Sequence, residues 1–200
     1  MYRFYLAAVD MLPAMILLIP TYWILDILFF HNTAKSIYYC LFSCYLAVVY
    51  VLVGMPTVAY IRPELNLNLI PVLGMMNDWK NSILNVCLFL PMGLALPIGW
   101  RRFRKKRHTI CFGFCISLGI ELLQTLTFRA SDVNDVITNT LGTYLGYLVA
   151  TVIMKKKPAI GEILHDEKAH ELFVIFSILL GIMSFLYPFV SAALWDWLLA

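Results

Sequence analysis

The feature that most constrains this chain is the recurrence of apolar runs long enough to cross a lipid bilayer. A helix rises about 1.5 Å per residue, so about 20 apolar residues span a hydrocarbon core of about 30 Å. Six such runs occur, at roughly 5–29, 37–60, 82–100, 109–128, 136–154 and 170–188. In lipid, backbone N–H and C=O groups find no water, and a run of this length satisfies them within itself as an α-helix. The expected fold is therefore all-α: a polytopic integral membrane helical bundle of about six transmembrane helices, with residues 1–200 as a single membrane domain. Composition agrees, because 62% of residues are hydrophobic and only 14% charged, unlike a soluble domain. The first run is too long for a secretory signal, carries Asp10 and lacks a small-x-small cleavage site, so it reads as a span.

Charge then orients the spans, since loops on the cytoplasmic side carry an excess of Lys and Arg. The segment 101–108 (RRFRKKRH) holds six basic residues, and the loop opened by Lys155, Lys156 and Lys157 adds Lys168. With Lys35 in the first loop, these alternating loops carry eleven of the fifteen basic residues. The basic loops 101–108 and 155–168 are expected to be cytoplasmic, and both termini and the 129–135 turn extracytoplasmic. The amphipathic stretch 155–169 is read as lying on the cytoplasmic face and 189–200, with Trp195 and Trp197, as an interfacial tail. The net charge of +3 reflects this topology, and the basic cluster faces anionic lipid rather than nucleic acid. Five cysteines show no metal or redox pattern, and the four histidines have no partners at ligand spacing.

Against this apolar background, one stretch carries side chains that lipid rejects. Between Ser117 and Gly146, two spans meet at a short polar hinge containing Arg129. Ser117, Glu121, Gln124 and Thr125 recur at helical spacing on the first span, and Asp132, Asp135, Asn139, Gly142 and Gly146 on the second. A carboxylate inside a span costs about 2.5–3.5 kcal/mol, so Glu121 is read as an inward-facing group with a partner. Asp132 also suits a helix N-cap, Asp135 the positive end of the helix dipole, and Gly142 with Gly146 a close helix approach. Asn85 shares a face with Phe89, Met92, Gly93 and Leu96 in the preceding span, which Pro91 interrupts. Pooled, three carboxylates facing one arginine raise the pKa of one carboxylate, hold a hard divalent cation such as Mg²⁺ or Ca²⁺, or meet a cationic ligand. The metal, if any, is unknown, and no dedicated cofactor motif is present.

The run Asn85-x3-Phe89-x-Pro91-x-Gly93, then Glu121-x2-Gln124, then Arg129-x2-Asp132-x2-Asp135-x3-Asn139-x2-Gly142-x3-Gly146 resembles the VanZ-like family, as does Asn68-Leu69-Ile70-Pro71 before it. The resemblance covers roughly residues 66–150, the motif core. It implies a bacterial cytoplasmic-membrane protein related to an accessory factor in glycopeptide resistance, associated with teicoplanin and other lipid-tailed antibiotics. Such drugs act at the outer leaflet on lipid-linked cell-wall precursors, where the charge rule independently places the hinge. Carried over by position, the candidate site is Glu121 and Asp135 as acid–base groups, with Asn85, Gln124, Arg129, Asp132 and Asn139 as binding residues. Three readings stand: a binder that shields or remodels the lipid-anchored target, an intramembrane enzyme acting on a lipid-linked precursor, and a small proton-coupled transporter or flippase subunit. Expected partners are membrane lipids, a lipid-linked precursor or lipoglycopeptide antibiotic, and a second copy of the chain.

Overall fold

The computed structural model describes residues 2–59, 67–68, 79–127, 131–161 and 170–199. They are overwhelmingly helical, and the protein is a polytopic helical membrane protein. Helix α1 (Tyr2–Leu25) continues through a π-helical turn, Asp26–Phe30, and α2 spans Thr33–Leu52. Helix α3 is Trp79–Gly99, α4 is Lys106–Gln124 and α5 is Val133–Lys156. Helix α6 runs over Glu171–Leu199, with a π-helical turn at Ile182–Leu186. Among the described residues, five of these are long and apolar enough to cross a membrane. Helix α4 is the exception, because its first turn carries Lys106, Arg107 and His108 and its last turn Glu121.

Burial is inverted relative to a water-soluble protein. On α5, Ile137, Leu141, Leu145, Leu148, Val149 and Val152 are exposed, while Asn134, Thr138, Asn139 and Thr143 are buried. On α4, Phe114, Leu118, Leu122 and Leu123 face outward, and Ser117, Glu121 and Gln124 face in. Lipid solvates the leucines as well as a protein core does, so polar and small residues take the helix contacts.

Contacts gather the chain into two compact units, residues 1–61 with 168–200 and residues 62–167. In the first, α1 and α2 form a hairpin whose turn is built on Asp26. Its carboxylate accepts hydrogen bonds from Asn32 N–H (3.0 Å), the Thr33 hydroxyl (3.1 Å) and the Ser36 hydroxyl (2.8 Å). His31 takes the left-handed conformation between the helices (φ 48°), and Asn32 caps α2 by accepting from Lys35 N–H. Tyr22 and Ser43 pair at 2.6 Å across the hairpin, and Trp195 donates to Asp10 across the α1–α6 contact at 3.0 Å.

Several helix bounds differ from the sequence-based expectation. The second span ends at Leu52 rather than 60, because Gly54 turns left-handed (φ 65°) and ends the helix. Helix α3 spans Trp79–Gly99, which places Asn81 and Ser82 in its first turn, ahead of the apolar run expected from 82. Residues 189–199, expected as an interfacial tail, continue α6 as regular helix through Pro188. Of the stretch 155–169, Lys155 and Lys156 close α5 and Pro158–Gly161 form a 3-10 turn; the remainder from 162 lies outside the described residues.

Candidate functional site

The second unit is organised by how closely α3 and α5 approach each other. A Cβ built on Gly142 would stand 2.3 Å from the Val86 carbonyl oxygen, and one on Gly146 2.0 Å from that of Leu90. From the other side, a Cβ on Gly93 would stand 1.9 Å from the Thr143 carbonyl oxygen. The contacts advance together along both helices, so α3 and α5 run parallel with their backbones touching. Helix α4 packs antiparallel beside them, its Gly113 against the Thr143 side chain. The expected small-residue stripe is thus a three-glycine seam, and Thr143 fills the point where all three helices meet.

The seam carries the polar residues with it. Asn139, one turn before Thr143, is 3% exposed and donates from Nδ2 to Ser117 Oγ on α4 at 2.9 Å. Its Oδ1 has no hydrogen-bond partner among the described residues. One turn on from Ser117, Glu121 is 6% exposed, and its Oε2 accepts from the backbone N–H of Asp132 at 2.8 Å. Asp132 is the N-cap of α5, with Oδ1 accepting from Asn134 N–H at 2.8 Å and from Asn134 Nδ2 at 2.7 Å. Glu121 and Asp132 therefore close the hinge jointly: one carboxylate holds the backbone of the cap, and the cap holds the first turn of α5.

A third strand of chain joins this point. Leu67 and Asn68 pair in parallel with Ser131 and Asp132, which brings the start of the Asn68–Pro71 element to the hinge. Residues 69–71 lie outside the described residues, as does Arg129.

The candidate residues fall into three groups. Glu121, Gln124, Asp132 and Asn139 are assembled at or next to the α4–α5 seam, with Gln124 5% exposed. Asp135 is half-buried in the first turn of α5, and Asn85 half-buried near the start of α3. Thr125 turns its hydroxyl back onto the Leu122 carbonyl and adds nothing to the cluster. Glu121 also lies nearer the hinge than a continuous helix to Arg129 implies, because α4 ends at Gln124. Among the described residues, no three His, Cys, Asp or Glu side chains converge as metal ligands.

One buried polar group escaped the sequence-based reading. Lys35, expected in a cytoplasmic loop, is 6% exposed and forms a salt bridge with Glu171, itself 5% exposed, within the first unit. Tyr39 donates to the other oxygen of Glu171 at 2.6 Å. The available signal was that each charge opens an otherwise apolar span, and charges seldom enter such spans without a partner.

These features define a class: a multi-pass membrane protein whose second unit joins two helices through a glycine seam and gathers buried polar residues beside it, at and below the α4–α5 hinge. Within that class the chain belongs to the VanZ/LLP1 family, whose match covers residues 13–154. It is 37% identical over 84 residues to Protein VanZ of Enterococcus faecium, a stretch equal to 40% of this chain and 50% of that protein. The chain thus spans about half the length of this curated relative. No solved structure matches it.

Proposed function

We propose that this protein acts in the cytoplasmic membrane of a bacterium, where it lowers susceptibility to lipid-tailed glycopeptide antibiotics of the teicoplanin class. The α4–α5 hinge faces the outer leaflet, and its polar cluster binds and shields, or remodels, a lipid-anchored envelope target. Membership in the VanZ/LLP1 family is the observation that carries this reading. Glu121 accepts from the Asp132 N–H and Asp132 from the Asn134 N–H, so these two carboxylates support the hinge that presents the cluster. Their work is to hold α4, α5 and the Leu67–Asn68 segment in one arrangement at the membrane surface. The orientation rests on the basic segments at the opposite ends of α4 and α5.

The test is drug susceptibility in a sensitive host expressing wild type, Glu121→Gln and Asp135→Asn at matched membrane levels. Wild type is expected to protect against teicoplanin more than against vancomycin, which lacks the lipid tail. Each variant is expected to weaken protection in part, as a binding surface does, and not to abolish it. Complete loss in Glu121→Gln at equal protein levels would instead favour an acid–base role, and no protection by wild type would sink the resistance reading.

A further inference from the structure

The opposite end of the α4–α5 pair carries a second feature, which the hinge reading does not use. An open groove of about 530 Å³ is lined by Lys106, Arg107, Ile110, Cys111, Phe114 and Thr140. Its residues are ordered by polarity. Lys106 and Arg107 form the first turn of α4, Ile110 and Cys111 follow one turn on, and Phe114 a turn beyond. The result is an open groove about 12 Å long along the helix axis, cationic over its first turn and apolar over the remaining length of about 6 Å.

The cationic head is rigidly built. Phe103 is buried in the 3-10 turn Arg101–Arg104, and its carbonyl accepts from the wholly buried Thr109 hydroxyl. His108 Nδ1 bonds to the Arg102 carbonyl at 2.9 Å, and Tyr147 of α5 donates to the Arg104 carbonyl at 3.0 Å. Lys106 lies over the Tyr144 ring, its ammonium 4.4 Å from the centroid. The six basic residues lie on the 3-10 turn, on Lys105 and on the first turn of α4, and the sequence from Trp79 to Ile120 contains no acidic residue. Positive charge concentrated at this end of α4 favours an anion at headgroup level.

We propose that this groove binds one anionic phospholipid, with the phosphate on Lys106 and Arg107 and an acyl chain along Ile110, Cys111 and Phe114. A soluble anion would satisfy the charge but leave the apolar channel empty. A neutral lipid would fill the channel but leave the charge unmet. An anionic phospholipid supplies both parts at the required separation.

The experiment uses the full chain purified in detergent, titrated with phosphatidylglycerol or with phosphatidylcholine of the same acyl chains, and read by native mass spectrometry. One phosphatidylglycerol per chain is expected, retained at least about ten-fold more tightly than phosphatidylcholine. The double variant Lys106→Gln/Arg107→Gln is expected to remove that preference, since each such charge near a membrane surface contributes about a several-fold effect. Phe114→Ala is expected to weaken binding of both lipids while keeping the preference. Lys155→Gln/Lys156→Gln, outside the groove, is expected to change neither. Thermal melting of each variant confirms that it is folded. Equal retention of the two lipids, equal losses from the Lys155/Lys156 variant, no effect of Phe114→Ala, or displacement by glycerol phosphate alone would each overturn the proposal.

Discussion

The glycine seam makes the sharpest quantitative prediction. In Gly146→Ala the new methyl would be placed 2.0 Å from the Leu90 carbonyl oxygen and 2.8 Å from Leu94 N. Both neighbours are backbone, so no rotamer change relieves the overlap and α3 and α5 must move apart by about 1 Å or more. Overpacking of this kind costs typically 1–3 kcal/mol. Gly119→Ala is the matched control, because a Cβ there meets nothing within 4 Å and alanine is the better helix former by about 1 kcal/mol. That propensity gain is common to both helix positions and cancels, so the two variants should differ by roughly 1–3 kcal/mol, or roughly 2–12 °C in melting temperature for a chain of this size. The assay is thermal unfolding of both proteins in one detergent, followed by helical circular dichroism. Gly93→Ala should resemble Gly146→Ala, since its methyl meets the Thr143 carbonyl at 1.9 Å. The Gly93→Ala/Gly146→Ala double variant should lose less than the sum, because helices already separated by one methyl accommodate the second more easily. A Gly146→Ala protein as stable as Gly119→Ala would refute the close approach of α3 and α5.

Other outcomes follow from the buried polar pairs. Lys35→Met leaves Glu171 buried without its counter-ion and should destabilise by about 3–5 kcal/mol; Lys35→Met/Glu171→Leu should recover most of that in the same melting assay. Asp132→Ala removes the N-cap of α5 and should cost about 0.5–2 kcal/mol, with Asp132→Asn or Asp132→Ser restoring most of it. Glu121→Leu strips the acceptor from the Asp132 N–H and should cost about 1–3 kcal/mol, whereas Glu121→Gln keeps a side-chain oxygen and should cost less. Hydrogen exchange at the Asp132 amide would separate these last two, with fast exchange expected only in Glu121→Leu.

Much of the seam was legible from spacing, and the reason is the periodicity of the helix. Asn139, Gly142 and Gly146 fall on one stripe, as do Ser117, Glu121 and Gln124, and in a membrane a polar or small stripe faces protein. The capping role of Asp132 was legible too, because its position before an apolar run matches the chemistry of a helix start. What a stripe does not encode is its partner. That Asn139 bonds Ser117, and that Glu121 reaches the Asp132 backbone, depends on the register between α4 and α5.

Bounds were less legible where polar residues extend a helix or a glycine ends one. The basic residues 106–108 begin α4, yet their charge reads as loop. The run to residue 60 stays apolar, yet Gly54 stops α2 after Leu52. Lys35 and Glu171 are 136 positions apart, and no local pattern couples them.

The sequence alone determined that this is a helical membrane protein of the VanZ/LLP1 family and which residues lipid would exclude, because segment length, composition and motif spacing are local quantities. Tertiary structure decided which of those residues meet. It set α3 against α5 through three glycines, joined Glu121 to the Asp132 backbone and matched Lys35 to Glu171. Each depends on how helices distant in sequence are placed against one another, and packing between backbones is not a property of any one segment.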